Sequence, residues 1–440
     1  MQTQIPFTYK SHGWKQFKKN KPACISLYIL ITLIIIALLS PIISNNQPLY
    51  IKYKGQTLFP ALSLKNTYEI TDPATGTTER LQSDITDWKH LKYQSAIFPP
   101  IAYSPGQMDY QNTGYKSPSD PQEFLDTNNN IIKAPLKFRH WLGTNKKGED
   151  IAAGIIHGIK ISLSIGILSM LIASLLGLFL GSIAGYFGDK QLQTTRGSFW
   201  TFILGIIIAF YYAFLLRFYT LEDALASSPA TFFLQLILSI LTFIIVTIIF
   251  YYLGKPIGKL PFLTTKVHIP IDTIISKTME ILVSLPQIIL IITIAAIAKR
   301  SLVNVMLIIG LTSWTTIARL TRAEFLRIKQ LDYIQAAKAL GFTHFRIILR
   351  HVLSNAIAPA LVAIAFGIAG AILIESSLSF LNIGVPLETV SWGRLLAEGR
   401  EQFSAWWLVI FPGIAIFITV TIYNLIGEGL RDAFDPKLRS

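Results

Sequence analysis

The sequence predicts an all-α polytopic membrane protein, and its composition and the clustering of its apolar residues support that prediction. Hydrophobic residues make up 52% of the 440 residues and charged residues only 15%, with a mean hydropathy of +0.49. In a typical soluble domain, about a quarter of the residues are charged. The apolar residues are gathered into runs, and a helix needs about 20 mostly apolar residues to cross a bilayer. Composition and clustering together exclude an ordinary soluble protein.

Eight apolar runs are long enough to be spans, and they lie at 24–43, 155–186, 199–216, 231–253, 274–298, 302–317, 357–381 and 406–426. The first run is too long, and too poorly followed by a cleavage site, to be a signal peptide. It is therefore interpreted as the first transmembrane helix, preceded by a basic N-terminal segment at 1–23. Its Cys24 is the one cysteine of the chain, which excludes a disulfide framework and a cysteine metal cluster.

The net charge of +14 is concentrated in three segments. Five lysines precede the first span, four lysines follow the fourth, and seven basic residues follow the sixth, with few acids among them. Loops rich in Lys and Arg stay in the cytoplasm. With the N-terminus inside and eight spans, all three segments fall on the cytoplasmic side, as does the tail at 431–440. The charge is therefore interpreted as a topology signal rather than as a nucleic-acid surface.

Residues 44–150 form a polar, charge-balanced insertion that this topology places outside the membrane. Strand-like pieces lie at 49–53 and 57–59, and Thr75-Gly76 and Ser104-Pro105-Gly106 are typical of turns. The stretch 109–130 is rich in Asn, Ser, Pro, Asp and Gly and predicts an extended loop. We expect a small, irregular extracytoplasmic domain without a catalytic role.

Small residues recur at intervals of four in two of the runs. In a helix they align on one face and let a second helix approach closely, as packing in lipid requires. They are Ala173, Gly177, Gly181 and Gly185 in the second run, and Ala363, Gly367 and Ala371 in the seventh. The pattern predicts a packed helical bundle and indicates no particular function.

A basic, Ala-rich segment lies between the sixth and seventh runs. Residues 333–340 predict a helix of two turns, Gly341 suits the left-handed residue that ends it, and Thr343 can cap the next helix. Ala336 and Ala337 leave room for a partner surface, while Leu340 and Phe345 offer apolar side chains to it. A loop lying on anionic lipid would also explain the charge, so on composition alone both interpretations stay open.

Several other candidate sites do not fit the chemistry that they suggest. The sequence Gly254-Lys255-Pro256-Ile257-Gly258-Lys259-Leu260 has the wrong glycine spacing for a phosphate-binding loop and lacks the Ser or Thr after the Lys. The seven histidines show no metal-ligand spacing. Carboxylates inside a membrane suggest function. Glu280 is interpreted as reaching the interface, whereas Glu375 either lines a path or makes a structural hydrogen bond.

The segment from Phe325 to Asn355 resembles the cytoplasmic loop of ABC importer permeases of the dipeptide, oligopeptide and nickel family. That loop reads Glu-Ala-Ala, three residues, Gly, and then Arg-His-x-Leu-Pro-Asn. This chain departs at Gln335, where Glu is usual, and at Ser354, where Pro is usual. Further blocks resemble the family in the same order, at 140–163, 184–188, 375–381, 391–393 and 432–436. Residues 45–55 are similar to the Yej type of peptide permease.

The resemblance implies an importer-type bundle of about six core helices within residues 151–430. The chain departs from the family by an inserted hairpin at 189–269, which is expected to add two helices. The resemblance also implies a non-catalytic subunit without a cofactor or metal, in the inner membrane, that transports peptides. The implied partners are a second permease subunit, one or two ATPase subunits and a periplasmic substrate-binding protein.

Within the loop at 319–355, the resemblance implies that ATPase coupling involves Tyr333, Gln335, Ala336, Ala337, Leu340, Gly341, Phe345 and Arg346. Glu375 and Ser379 are expected in the translocation path. The alternative is an ion-coupled secondary transporter or channel without an ATPase. That alternative would show charged pairs near mid-membrane and inverted repeats, and neither is evident in the sequence.

Overall fold

The computed structural model describes residues 9–63, 65–71, 77–83, 85–126, 130–386 and 388–434. The predicted turn at Thr75-Gly76, residues 1–8 of the basic N-terminal segment and residues 435–440 of the predicted tail lie outside these ranges. The chain divides into two compact units, one made of residues 1–181 with 281–440 and the other of residues 182–280.

The described chain is mostly helical. In order, the helices are α1 (Tyr9–Lys19), α2 (Lys21–Leu38), α3 (Ser40–Ile43), α4 (Ile151–Phe187), α5 (Arg196–Phe210), α6 (Phe218–Ser227), α7 (Pro229–Ile257), α8 (Ile271–Ser284), α9 (Gln287–Ile297), α10 (Leu302–Ile328), α11 (Asp332–Ala339), α12 (His344–Arg346), α13 (Ser354–Phe380), α14 (Trp392–Glu401) and α15 (Trp407–Phe434). A π-helical stretch, Ile347–Leu353, joins α12 to α13, so that helix continues without a break from His344 to Phe380.

Among the described residues, seven helical segments are long and apolar enough to cross a membrane. They are Lys21–Leu38, Ile151–Phe187, Arg196–Leu215, Leu234–Ile257, Leu302–Ile328, His344–Phe380 and Trp407–Phe434. The prediction of a polytopic helical membrane protein is therefore confirmed. The sixth predicted run ends too early, since α10 continues to Ile328 and the first part of the predicted loop at 319–355 is helical.

The fifth predicted run, 274–298, is not one straight helix. Helices α8 and α9 meet at an angle of 84°, with the break at Leu285 and Pro286. Proline lacks a backbone N–H and disfavours helical geometry at the residue before it, which accounts for the break at this position. The pair counts as an eighth span only if the bent pair is one broken span.

In the first unit, α4 packs closely on α10 and α13 through small residues. A Cβ added to Gly177 would lie 2.7 Å from the Cβ of Ile317, and one added to Gly181 would lie 2.5 Å from the carbonyl oxygen of Ala318. A Cβ added to Gly367 on α13 would likewise collide, because the side chain of Met170 fills that space. The four-residue spacing thus predicted the contact face of α4 correctly.

The described residues of the segment 44–150 form seven short strands. They are β1 (Tyr50–Tyr53), β2 (Gln56–Leu58), β3 (Thr67–Thr71), β4 (Thr78–Gln82), β5 (Ser95–Ile97), β6 (Glu123–Leu125) and β7 (Ile131–Lys133). They pair antiparallel as β2-β1-β5, β3-β4 and β6-β7. Ile51, Ile70 and Trp88 are the most deeply buried side chains of their shared core. The two predicted strand pieces are confirmed. Of the extended loop expected over 109–130, residues 127–129 lie outside the described ranges, and β6 interrupts the described part.

The second unit contains α5, α6 and α7, closed at its base by a two-stranded ribbon of β8 (Gln193–Thr195) and β9 (Lys266–His268). Two of the apolar segments long enough to span a membrane lie in this unit. Helices α5 and α7 approach closely where Gly205 meets the ring of Phe250 and where Gly254 meets Ser198. Ser198 Oγ donates a hydrogen bond of 2.8 Å to the carbonyl oxygen of Gly254.

Candidate functional site

The segment between α10 and α13 folds as its local sequence predicts. Helix α11 ends at Leu340, whose N–H donates to the carbonyl oxygen of Ala336, and Gly341 follows with φ +76°. The N–H of Phe342 then donates to the carbonyl oxygen of Ala337 at 3.1 Å, which closes the helix end. Thr343 Oγ1 accepts a hydrogen bond from the N–H of Arg346 and caps α12. A residue with a Cβ is strained at this φ, so glycine is the fitting residue at 341.

One side of α11 is buried and the other is exposed. Ile334 and Ala337 are buried, with 0% and 6% of their surface exposed. Leu340 and Phe345 are 74% and 73% exposed, although both are large and apolar. Of the two alanines predicted to face a partner, only Ala336 is exposed. Leu340 and Phe345, which follow α11, therefore present an apolar surface that no element of the described chain covers.

Three of the predicted coupling residues also make contacts within the segment. Gln335 Nε2 donates to the carbonyl oxygen of Lys329 at 2.8 Å, which holds the turn between α10 and α11. The guanidinium of Arg346 lies 4.6 Å from the centre of the Phe342 ring. Tyr333, which is 44% exposed, has its hydroxyl 3.2 Å from Nδ2 of Asn355 near the start of α13. These contacts fix the segment against the helices on either side of it.

A cavity of about 1010 Å³ lies next to this segment in the first unit. Helices α4, α9, α10, α13 and α15 line it. Its charged and polar end includes Glu324, Arg327, Asn355 and Arg431, and Glu324 pairs with Arg327 at 2.7 Å. The charge pattern of the sequence predicts that this end of the helices lies in the cytoplasm. The cavity continues along α13 to residue Ile374.

Polar residues of α10 line the cavity and were missed by sequence reasoning. Thr312, Ser313, Thr315 and Thr316 are among its lining residues, and Gln287 Nε2 on α9 donates to Ser313 Oγ at 3.0 Å. A cluster of hydroxyl side chains inside an otherwise apolar run was the available signal. Because the predicted run ended at 317, the cluster was not connected with the charged residues Glu324 and Arg327 further along the same helix.

Glu375 and Ser379 do not line this cavity. Glu375 is fully buried, and its carboxylate accepts hydrogen bonds from Ser379 Oγ at 2.7 Å and from Ser162 Oγ at 3.4 Å. The start of α14 packs here, since a Cβ on Gly393 would lie 2.7 Å from that of Ser379. Of the two roles that the sequence left open for Glu375, this geometry favours the structural hydrogen bond between α4 and α13.

A buried charged cluster joins the segment 44–150 to the start of α4. The Nδ1 and Nε2 atoms of His140 lie 2.7 Å from Asp150 and 3.0 Å from Asp109. Burial lowers the pKa of His140, but hydrogen bonds and charges from both aspartates outweigh it and raise that pKa. The ammonium of Lys89 lies 3.2 Å from the centre of the Tyr103 ring, and burial lowers the pKa of Lys89 to about 7. The sequence marked His140 and Asp150 as motif residues but gave no sign that they touch.

Comparison with known protein families supports the permease resemblance that the sequence motifs indicated. Residues 260–440, which include α11, α12, α13 and much of the cavity, match the family described as the binding-protein-dependent transport system inner membrane component. Residues 8–60 match the N-terminal transmembrane domain of oligopeptide transport permease C.

Residues 260–440 thus form a binding-protein-dependent transport permease domain. The chain is similar to the inner membrane ABC transporter permease protein YejE of Escherichia coli (strain K12), at 26% identity over 96% of each chain. It is also similar to the peptidoglycan transport system permease protein YejE of Agrobacterium fabrum, at 26% identity over 96% of this chain and 92% of that protein. A third relative is the dipeptide transport system permease protein DppC of Alkalihalophilus pseudofirmus, at 29% identity over 72% of this chain and 78% of that protein. The predicted family resemblance is confirmed.

Proposed function

We propose that this permease is one half of the membrane-spanning part of an ATP-driven peptide importer in the inner membrane. The names of its relatives support peptides as the class of substrate, since they include a dipeptide and a peptidoglycan transport permease. The other parts of the assembly would be a second permease, one or two ATPase subunits and a substrate-binding protein outside. The permease itself would carry out no chemistry.

The observation that carries the proposal is the exposed apolar surface of α11 and α12. Leu340 and Phe345 keep about three quarters of their surface uncovered within the chain. Large apolar side chains that project from the polar, cytoplasmic side of a membrane protein are typical of a protein contact. We propose that Tyr333, Gln335, Ala336, Leu340, Gly341, Phe345 and Arg346 form the surface that docks on the ATPase, with Leu340 and Phe345 at its centre. Ala337, which is buried, would support this surface from beneath.

A continuous helix connects this segment to the lining of the cavity. From His344 the helix runs through Ile347–Leu353 into α13 without a break, and α13 lines the cavity from Asn355 to Ile374. The ring of Phe342 also stacks on His351 at 6.0 Å. When ATP binding brings the ATPases together, displacement of α11 would move the start of α13. That movement would change the access to the cavity, as a rigid packed element transmits displacement.

Glu375 and Ser379 take a positioning role in this proposal. Ser379 donates a hydrogen bond to Glu375 within α13, and Ser162 of α4 donates to the same carboxylate. The carboxylate thus ties α13 to α4 at the end of α13 that lies far from the coupling segment. A fixed point at one end and a driven point at the other let α13 tilt as one body. The path itself is assigned to the cavity residues of α10 and α13.

The test compares the same substitution at two glycines of matched geometry. Gly341 and Gly114 have φ of +76° and +79°, and a Cβ at either position would meet nothing within 4 Å. Gly341→Asp adds strain and a charge to the proposed docking surface, and Gly114→Asp adds both to the extracytoplasmic segment. We expect Gly341→Asp to abolish peptide uptake while the variant still inserts in the membrane, and Gly114→Asp to leave uptake intact. Normal uptake by Gly341→Asp would refute the coupling role.

A further inference from the structure

The turn that connects α7 to β9 is ordered by backbone hydrogen bonds and carries an exposed aromatic side chain at its tip. The N–H of Gly197 donates to the carbonyl oxygen of Leu263 at 3.2 Å, and that of Arg196 to Thr265 at 2.9 Å. The N–H of Leu263 donates to Leu260 at 2.8 Å. Phe262 nevertheless has 91% of its surface exposed. A fixed backbone therefore holds a phenyl ring away from the rest of the second unit.

Basic side chains surround this tip. Lys255, Lys259 and Lys266 are exposed, as are Arg196 and Lys190 beside the ribbon of β8 and β9. Among the described residues of the second unit, none of these five has an acidic partner. The neighbouring Asp189 is engaged elsewhere, because its carboxylate accepts hydrogen bonds from Thr273 at 2.9 and 2.7 Å. The five cations are thus free to bind an anion.

Aromatic residues mark the level of the membrane interface at this end of the unit. Trp200 on α5 and Tyr251 and Tyr252 on α7 are all about half exposed. Tyr and Trp gather at the headgroup level of a bilayer, with Lys just beyond them. Lys255 fits this arrangement, since its ammonium lies 5.0 Å and 4.6 Å from the centres of the two tyrosine rings. The turn at 258–265 follows directly and so lies at the headgroups.

We propose that residues 255–266, with Arg196 and Lys190, form a binding site for anionic phospholipid on the cytoplasmic leaflet. We call this surface the basic turn. Phe262 and the half-exposed Leu260 enter the acyl region, while the lysines and Arg196 bind headgroup phosphates. A headgroup and its acyl chain satisfy both parts of the surface, whereas free phosphate would leave the ring of Phe262 in water. Phospholipid would thereby anchor the inserted hairpin. The proposed role of the coupling segment does not depend on this anchor.

The experiment uses the full-length permease with a single reporter on the basic turn. Because Cys24 is the one cysteine, Cys24→Ser with Thr264→Cys allows one environment-sensitive fluorophore to be attached beside Phe262. The labelled protein in neutral detergent is titrated with phosphatidylglycerol, with phosphatidylcholine and with inorganic phosphate. Each lysine near an anionic surface contributes about 1 kcal/mol, or about a fivefold change in affinity. Lys255→Gln/Lys259→Gln/Lys266→Gln should therefore raise the half-saturating phosphatidylglycerol concentration at least about tenfold.

Two further variants keep the test decisive. Phe262→Ser cannot disturb a core, since the ring is exposed, and should weaken the phosphatidylglycerol response without changing the response to phosphate. Lys133→Gln/Lys147→Gln removes two exposed lysines from the extracytoplasmic segment and should leave the titration unchanged. Equal responses to the two lipids, an unchanged triple variant, or a loss in the Lys133/Lys147 control would each overturn the proposal. A response to phosphate equal to that for phosphatidylglycerol would also overturn it.

Discussion

Removal of the two exposed apolar side chains of the coupling segment tests the docking surface without touching the fold. Complete burial of a Leu or Phe side chain contributes about 1.5–3 kcal/mol. Leu340 and Phe345 have 74% and 73% of their surface exposed, so a partner that covered them would gain roughly 1–2 kcal/mol from each. Leu340→Ala or Phe345→Ala should therefore weaken ATPase binding by about 5- to 30-fold. The free energy of unfolding should change by less than about 0.5 kcal/mol, as for surface substitutions in general.

The assay measures binding of the ATPase subunit to the permease in nanodiscs and, in parallel, peptide uptake into cells. Leu136→Ala and Phe403→Ala serve as matched controls, because Leu136 and Phe403 are 70% and 89% exposed in segments that the topology places outside. The controls should bind ATPase and take up peptide as the unchanged protein does. If Leu340→Ala and Phe345→Ala also behave like the unchanged protein, the exposed surface is not a docking site.

Three further substitutions test packing, positioning and burial of charge. Gly177→Val should destabilise the bundle by about 1–3 kcal/mol, since its Cβ would lie 2.7 Å from that of Ile317, and a lower melting temperature in detergent would show this. Glu375→Leu deprives Ser379 of its acceptor, so melting temperature and uptake should fall together, whereas lost uptake at an unchanged melting temperature would place Glu375 in the path. Lys89→Met should raise the melting temperature more at pH 6 than at pH 9. Burial lowers the pKa of Lys89 from 10.5 to about 7, so the cost of burying its charge is full below pH 7 and fades toward pH 10.5; an equal gain at both pH values would contradict this reasoning.

Interactions between residues close together in the chain set the backbone conformation of the coupling segment, and the sequence predicted that conformation well. A short helix over residues 333–340, a left-handed Gly341 and a capping Thr343 depend on residues close together in the chain. The same holds for the apolar runs and for the four-residue spacing of Gly177 and Gly181, because helical period alone sets which residues share a face. The break at Pro286 was also a local signal, but the continuous apolar pattern around it concealed the break.

Contacts between distant segments were decided only by the tertiary structure. The cavity exists because α4, α9, α10, α13 and α15 meet around it, and no periodicity within one run states which other run it faces. The role of Glu375 could be assigned only from its hydrogen bond with Ser162, which lies on another helix. His140 and Asp150 are close in sequence, but Asp109 and Lys89 reach them only through the fold of the segment 44–150. The sequence by itself determined most of the segments that are long and apolar enough to cross a membrane, and it determined the turn between α11 and α12. Bilayer thickness and backbone geometry act locally, which is why these features could be predicted. The structure decided which polar groups meet, because that depends on packing between segments far apart in the chain.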